Sequence, residues 1–191
     1  NILDKNDLIL QESGCVGSEN ERGNTYMKKI GIVTDSHSSI SQEEAEKLGI
    51  FVLPMPFYID GECFYESVTL SRELFFEKLA AGADITTSQP SPTAVMEIWD
   101  KALEQFEKIL YMPISSGLSG SYETAMMLAK DEAYEGRVLV VDDGQVAAPL
   151  HQMVLDTLDM IEKGYEAEQI RDLLERAGDR MMIYRSRRWS A

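Results

Sequence analysis

Two short stretches of this sequence concentrate hydroxyl side chains that could bind a small anion. The first, residues 113–122, reads PISSGLSGSY and places Ser115, Ser116 and Ser119 in one glycine-containing segment. The second, residues 86–92, reads TTSQPSP. Glycine allows a tight turn and a close approach of a ligand to the backbone, and hydroxyls with N–H groups at a helix start suit an anion. We therefore predict that the two stretches meet and hold one carboxylate.

The elements around each stretch predict how it is positioned. The apolar run 109–112 precedes the first stretch and indicates a strand, and the helix-like sequence SYETAMMLAK follows it. The second stretch ends in Ser91-Pro92, a favourable N-cap and first-turn pair for a helix. Both stretches therefore precede helices. Ligands of layered α/β folds tend to lie beyond the carboxyl ends of strands.

Apolar periodicity and cap signals predict alternating strands and helices along the chain. Asp60-Gly61 is a two-residue hairpin signal. The helix that begins at Pro92 has one apolar face, and its residues Trp99 and Phe106 are predicted to lie in the core. The predicted strands are 30–35, 51–59, 62–66, 108–114, 137–142 and 181–184. The predicted helices are 42–48, 71–81, 92–106, 121–132, 149–163 and 167–177. This order is typical of an α/β layered domain with a largely parallel β-sheet flanked by helices.

The ends of the chain differ in composition from the segment between them. Residues 1–26 are polar apart from one short apolar patch, and we expect them to be disordered. Met27 resembles a natural start, so we interpret the preceding segment as a leader, a tag or the result of a misplaced start. We assign residues 27–184 to the folded domain. The tail 185–191 is abruptly basic in an acidic chain, and we interpret it as the sign of a truncation.

Composition excludes several classes of function. The chain has 191 residues, 44% hydrophobic and 27% charged, with 18 basic and 33 acidic residues and a formal net charge of −15. Such a charge repels nucleic acids and anionic lipid surfaces, so we expect neither as a partner. No apolar run reaches the length of a membrane span, so we expect no stable membrane insertion. Cys15 and Cys63 fit neither a zinc site nor a disulfide framework, and without a signal peptide the expected location is the cytoplasm.

Two enzyme classes are alternatives to binding. A serine acyl hydrolase would use Ser119 on a strand-to-helix turn, but the G-x-S-x-G pattern fails because Ser121 occupies the second glycine position. His37 and His151 are the available bases, and His37 is the better placed because it follows a strand. A kinase-like phosphotransfer domain is weakly supported, because no P-loop lysine motif and no dinucleotide-binding glycine motif is present.

Three aspartates at predicted strand ends raise the question of a metal. Asp35, Asp142 and Asp143 could supply carboxylate ligands. Aspartates at such positions more often cap turns, and the sequence shows no assembled ligand set. The serines of 113–122 have an equally simple alternative, which is helix capping. Three hydroxyls and two glycines exceed the needs of one cap, so we predict a binding site. Because no metal-ligand set is visible in the sequence, we expect this site to hold no metal and no cofactor.

The sequence resembles the DegV family of bacterial fatty-acid-binding proteins. Four segments carry the resemblance in the expected order, and the middle two are the specific ones. They are IVTDS at 32–36, TSQPS at 87–91, ISSGLSGSY at 114–122 and VVD at 140–142. The family usually has Thr at Ser121 and Ser at Asp143, and has small, glycine-rich positions at Pro149 and His151.

The resemblance implies a fatty-acid carrier that is not itself an enzyme. It implies that Thr87 and Ser119 hold the carboxylate of one long-chain fatty acid, with Ser88, Ser116 and Gly120 nearby. It also implies that the acid is presented to a separate fatty acid kinase that serves phospholipid synthesis. In such proteins the alkyl tail lies between an N-terminal α/β domain and a C-terminal domain, and we expect this chain to lack the second domain.

Overall fold

The computed structural model describes residues 28–65 and 69–178. The strands are β1 (Lys28–Asp35), β2 (Phe51–Leu53), β3 (Pro56–Ile59), β4 (Glu62–Tyr65), β5 (Ile85–Thr87), β6 (Phe106–Met112) and β7 (Val138–Val140). The helices are α1 (Gln42–Leu48), α2 (Arg72–Ala80), α3 (Pro92–Leu103), α4 (Ser121–Leu128), α5 (Ala148–Glu162) and α6 (Ala167–Gly178). A single 3-10 turn, Ser36–Ser38, follows β1.

A parallel sheet with the strand order β2-β1-β6-β7 forms the centre of the fold. Its two faces carry separate apolar clusters. One cluster contains Leu150 and Ile170 from α5 and α6, and the other contains Trp99 from α3 and Ala125 from α4. Helices therefore cover both faces of the sheet, which is why its strands are almost continuously apolar. The predicted layered α/β fold with a largely parallel sheet is confirmed.

Serine caps begin three of the helices, among them the predicted cap at Ser91. Ser41 accepts a hydrogen bond from the Glu44 N–H at 3.1 Å, and Ser91 accepts one from the Ala94 N–H at 3.2 Å. Ser71 does the same for α2. Each cap satisfies an N–H group that the helix itself leaves unbonded. The Ser91 cap places the start of α3 at Pro92, the last residue of the TTSQPSP stretch.

A second sheet, antiparallel with the order β4-β3-β5, corrects the prediction for residues 51–59. The single predicted strand is two strands, because β2 joins the parallel sheet and β3 pairs with β4 and β5. The Asp60-Gly61 hairpin is confirmed, with both residues at positive φ. Thr86 and Thr87 lie in β5, although the sequence predicts a loop there. β5 is only three residues long and mostly exposed, so it lacks an apolar pattern that would reveal it.

Phe106 also differs from its predicted element. It lies in the core as expected, but it begins β6 and is not part of α3, which ends at Leu103. Its ring packs against Gly31 of β1, where an added Cβ would stand 2.5 Å from the ring. Glycine at this strand position therefore allows the close approach. Helix α4 also ends earlier than predicted, at Leu128.

Several predictions fall on residues outside the described ranges. These are the leader 1–26, the start at Met27, the strand 181–184 and the tail 185–191. Between residues 28 and 178, leaving out 66–68, the structure contains no helix with both the length and the apolar character that a bilayer crossing requires.

Candidate functional site

The hydroxyl turn, defined here as residues 113–120, is held in place by its backbone. Asp35 at the end of β1 accepts a hydrogen bond from the Ile114 N–H at 2.8 Å, and the Gln145 carbonyl accepts one from the Ser115 N–H at 3.0 Å. Asp142 accepts a longer bond from the Ser116 N–H, at 3.3 Å. These three amides are therefore committed within the protein, and the hydroxyls are the groups this part of the turn can offer an anion.

Ser119 and Gly120 form the junction between the hydroxyl turn and α4. The Ser119 hydroxyl lies 2.8 Å from the Ser121 hydroxyl and accepts a bond from the Ser121 N–H at 3.2 Å. Gly120 is the N-cap of α4 and provides no side-chain cap. Ser119 thus satisfies one amide at the helix start, as the capping alternative requires. Ser116 and Ser119 are half-buried and Gly120 is exposed.

Thr87 and Ser88 lie at the end of β5, on the second sheet. Thr87 pairs with Phe57 of β3, and the Ser88 N–H donates to the Pro56 carbonyl at 3.3 Å. Both side chains are exposed. Their positions are set by pairing with a strand about thirty residues earlier in the chain, which the sequence pattern could not show.

Gln89 brings the two hydroxyl stretches together. Its side-chain oxygen accepts a hydrogen bond from the Thr124 hydroxyl of α4 at 3.2 Å. The same oxygen would lie 3.4 Å from a Cβ added at Gly120. The stretch 86–92 and the hydroxyl turn are therefore neighbours, as their sequences predicted. The sequence assigned no role to Gln89, although it stands inside the TSQPS motif.

A cavity of about 560 Å³ opens beside Thr87 and Ser88 and is lined by residues of β2, β3, β5, α1 and α2. Much of its wall is apolar and includes Pro54, Phe57, Leu70, Phe75, Phe76 and Ile85. Its polar border includes Ser36, His37, Ser39, Ser41, Thr87 and Ser88. An apolar space with a few grouped polar side chains is the usual form of a small-molecule site. Ser116, Ser119 and Gly120 are not among the described residues that border it.

The turn 36–38 is a part of the cavity border that was not predicted as part of the fatty-acid site, although His37 was considered as a catalytic base. The Ser36 hydroxyl accepts a hydrogen bond from the Met55 N–H at 3.1 Å, and His37 is half-buried. Asp35 accepts from the His37 N–H at 2.9 Å and lies 3.2 Å from its Nδ1. The location of these residues directly after a buried strand was the available signal.

The three aspartates considered as metal ligands accept hydrogen bonds from backbone N–H groups. Asp35, Asp142 and Asp143 accept hydrogen bonds from N–H groups of Ile114, Gly144 and Gln145 respectively. In the described part of the chain, no three His, Cys, Asp or Glu side chains are grouped closely enough to hold a metal ion. Their geometry is that of residues that fix the loops at the carboxyl edge of the sheet.

Asp143 has an unusual environment among these aspartates. It is fully buried, and its Oδ2 has no hydrogen-bond partner among the described residues. Burial raises the pKa of this carboxyl from 3.8 to about 7, and the neighbouring charges of Asp142 and Asp35 act in the same direction. The Gln145 N–H opposes the shift by stabilising the carboxylate.

The raised pKa predicts a pH dependence of folding stability. Because the native state holds the Asp143 proton more tightly than the unfolded chain, this residue favours folding fully below about pH 4. Its contribution is lost as the pH rises towards about 7, and the loss is on the order of 3–4 kcal/mol. Urea unfolding of the unaltered protein and of Asp143→Asn should show this difference. Equal pH slopes for the two proteins between about pH 4 and 8 would contradict the assignment.

Comparisons with known proteins agree with the fold and with the motifs. The family model of the "Uncharacterised protein, DegV family" matches residues 29–185. A DegV domain-containing protein of Caldanaerobacter subterraneus is 33% identical over 144 residues, which are 75% of this chain and 51% of the relative. The chain therefore spans about half the length of the curated relatives it matches.

Two solved structures extend the comparison. One is described as showing fatty acid binding by a DegV family protein from Thermus thermophilus, with 32% identity and a TM-score of 0.71 over 79% of this chain and 54% of that one. The other, a stearic-acid-binding protein from Eubacterium ventriosum, has 25% identity and a TM-score of 0.66 over 78% and 52%. Sequence, motifs and fold agree in one conclusion: this chain belongs to the DegV family.

Proposed function

We propose that this chain binds a long-chain fatty acid and carries it without chemically changing it. The cavity carries the proposal, because it combines an apolar wall with a border that includes the hydroxyl side chains of Thr87 and Ser88. The fatty acid binding described for the related Thermus thermophilus protein supports the same ligand class. The ligand would enter with its tail against Phe57, Phe75 and Ile85 and its head towards Thr87.

The alkyl tail supplies most of the affinity in this proposal. Each CH₂ group that leaves water contributes about 0.8 kcal/mol, so a long tail exceeds the contribution of a few hydrogen bonds. The head group needs orientation rather than strong attraction. In our proposal Thr87, Ser88, Ser116, Ser119 and Gly120 together provide that orientation, with Ser119 and Thr87 on opposite sides of the carboxylate.

We further propose that the carried acid is passed to a fatty acid kinase for phospholipid synthesis in the cytoplasm. The chemistry of the hydroxyl side chains at the cavity border supports this step. Neutral hydroxyls orient a carboxylate without the strong charge pairing that an arginine would add, which leaves the acid free to be transferred. In this proposal the kinase supplies the nucleotide chemistry, and the carrier holds no metal or cofactor of its own.

The direct test is lipid analysis of the purified protein. Extraction and mass spectrometry should recover a long-chain fatty acid in amounts close to that of the protein. Ile85→Asp should lower the recovery strongly, because it places a charge in the apolar wall. Met127→Asp is the matched control, since Met127 is 73% exposed and does not border the cavity. Absence of any acid, both as purified and after incubation with hexadecanoic acid, would contradict the proposal.

A further inference from the structure

His37 differs from the other described residues of the cavity border in that its side chain can carry a charge. Among the described residues that border the cavity, no aspartate, glutamate, lysine or arginine is present, and His37 is the one side chain that can carry a charge near neutral pH. The chain as a whole has a formal charge of −15. A ligand anion therefore meets a repulsive protein field, and the one ionisable group among the described residues of the cavity border is an imidazole.

Several contacts fix the imidazole at this border. Asp35 is fully buried and lies 3.2 Å from His37 Nδ1, and it also accepts from the His37 backbone N–H. The His37 carbonyl accepts a hydrogen bond from the Ala147 N–H at 2.7 Å. A carboxylate on one ring nitrogen orients an imidazole and stabilises its protonated form. The turn thus places an oriented histidine at the cavity wall.

The same segment of chain connects His37 to the Thr87 side of the cavity. The Met55 N–H donates to the Ser36 hydroxyl, and the adjacent Pro56 carbonyl accepts from the Ser88 N–H. Asp35 also holds the hydroxyl turn through the Ile114 N–H. One buried carboxylate and one extended segment therefore link the imidazole to both hydroxyl stretches.

We propose that His37 is a specificity-determining residue that makes the cavity select a carboxylic acid over a neutral lipid of the same length. This inference rests on the proposed function and adds the residue that distinguishes a charged head group from a neutral one. When protonated, the imidazole donates a charge-assisted hydrogen bond that a carboxylate accepts fully and an alcohol accepts only weakly. Selectivity for the acid should therefore increase as the pH falls from about 8 to about 6.

Other titrating groups surround the turn and must be separated from His37. Asp35 lies at the end of β1, and its charge contributes to the raised pKa of the nearby Asp143. Helix α5 packs against the turn and carries His151, whose Nε2 lies 3.2 Å from Glu44 of α1. His151 does not border the cavity. It is therefore the matched control for a pH effect that arises from histidine titration away from the ligand.

The test measures binding of hexadecanoic acid and hexadecan-1-ol to the 191-residue chain by equilibrium dialysis. The unaltered protein should prefer the acid, and His37→Gln should lower the acid affinity about tenfold while leaving the alcohol affinity unchanged. His151→Gln should retain the preference for the acid. The pH profile of the unaltered protein gives a second measurement that does not depend on the folding of a variant.

The outcomes separate this inference from the proposed function. If the protein binds neither lipid, both are overturned. If it binds the acid and the alcohol equally, or if the preference does not change with pH, His37 does not determine the selectivity for the acid. The carrier function would still stand in that case. If His37→Gln and His151→Gln have the same effect on the acid, the inference is also overturned.

Discussion

Replacing Asp35 with alanine should lower the free energy of unfolding by about 3–5 kcal/mol. Asp35 is fully buried, and its two carboxylate oxygens accept hydrogen bonds from the backbone N–H groups of Ile114 and His37. Alanine would leave both donors without this acceptor, and each donor left unsatisfied in the interior costs about 1–3 kcal/mol. Urea unfolding followed by circular dichroism measures the change.

Two further variants make the Asp35 prediction specific. Asp35→Asn keeps one carbonyl acceptor and replaces the other oxygen with a donor, so its cost should be smaller than that of alanine. Asp131→Ala also removes an aspartate that accepts a backbone N–H, from Ala133, but this aspartate is exposed. Water can replace its bond, and we expect a cost below about 1 kcal/mol. Similar costs for Asp35→Ala and Asp131→Ala would refute the bridging role of Asp35.

The double variant Thr87→Ala with Ser119→Ala should lower the affinity for hexadecanoic acid by about 100-fold or more. In the proposed site each hydroxyl donates one hydrogen bond to the carboxylate, and a bond to a charged group contributes about 1.5–3 kcal/mol. The fold should persist, because Thr87 is exposed and the hydrogen bonds of the Ser119 hydroxyl join it to Ser121 alone within the described structure. Equilibrium dialysis measures the affinity.

The matched control removes two hydroxyls that lie near the proposed site but are not proposed as ligands of the carboxylate. Thr86 is the neighbour of Thr87 on β5, and Thr93 is an exposed residue in the first turn of α3. Thr86→Ala with Thr93→Ala should retain full affinity. Unchanged binding by the Thr87 and Ser119 variant would remove these two residues as ligands. Hydrolysis of an acyl ester that is lost with Ser119→Ala would instead favour the serine hydrolase.

The prediction for α3 shows how far local sequence extends. Ser91 and Pro92 determine where the helix begins, and its apolar spacing correctly predicts that Trp99 faces the core. The same spacing continues to Phe106, so the pattern alone extended the helix three residues beyond its true end at Leu103. Phe106 lies in the core in either element. The pairing of β6 with β1 decides which element it joins.

The sequence by itself determined the layered α/β fold, the helix caps and the two hydroxyl stretches, because these depend on residues close together in the chain. The tertiary structure alone decided that β5 exists, that Gln89 joins the stretches, and that His37 borders the cavity. It also decided the role of Asp35, whose bond to Ile114 spans 79 residues. Contacts at such separation leave no periodic signal, since they arise only when strands distant in the sequence become neighbours.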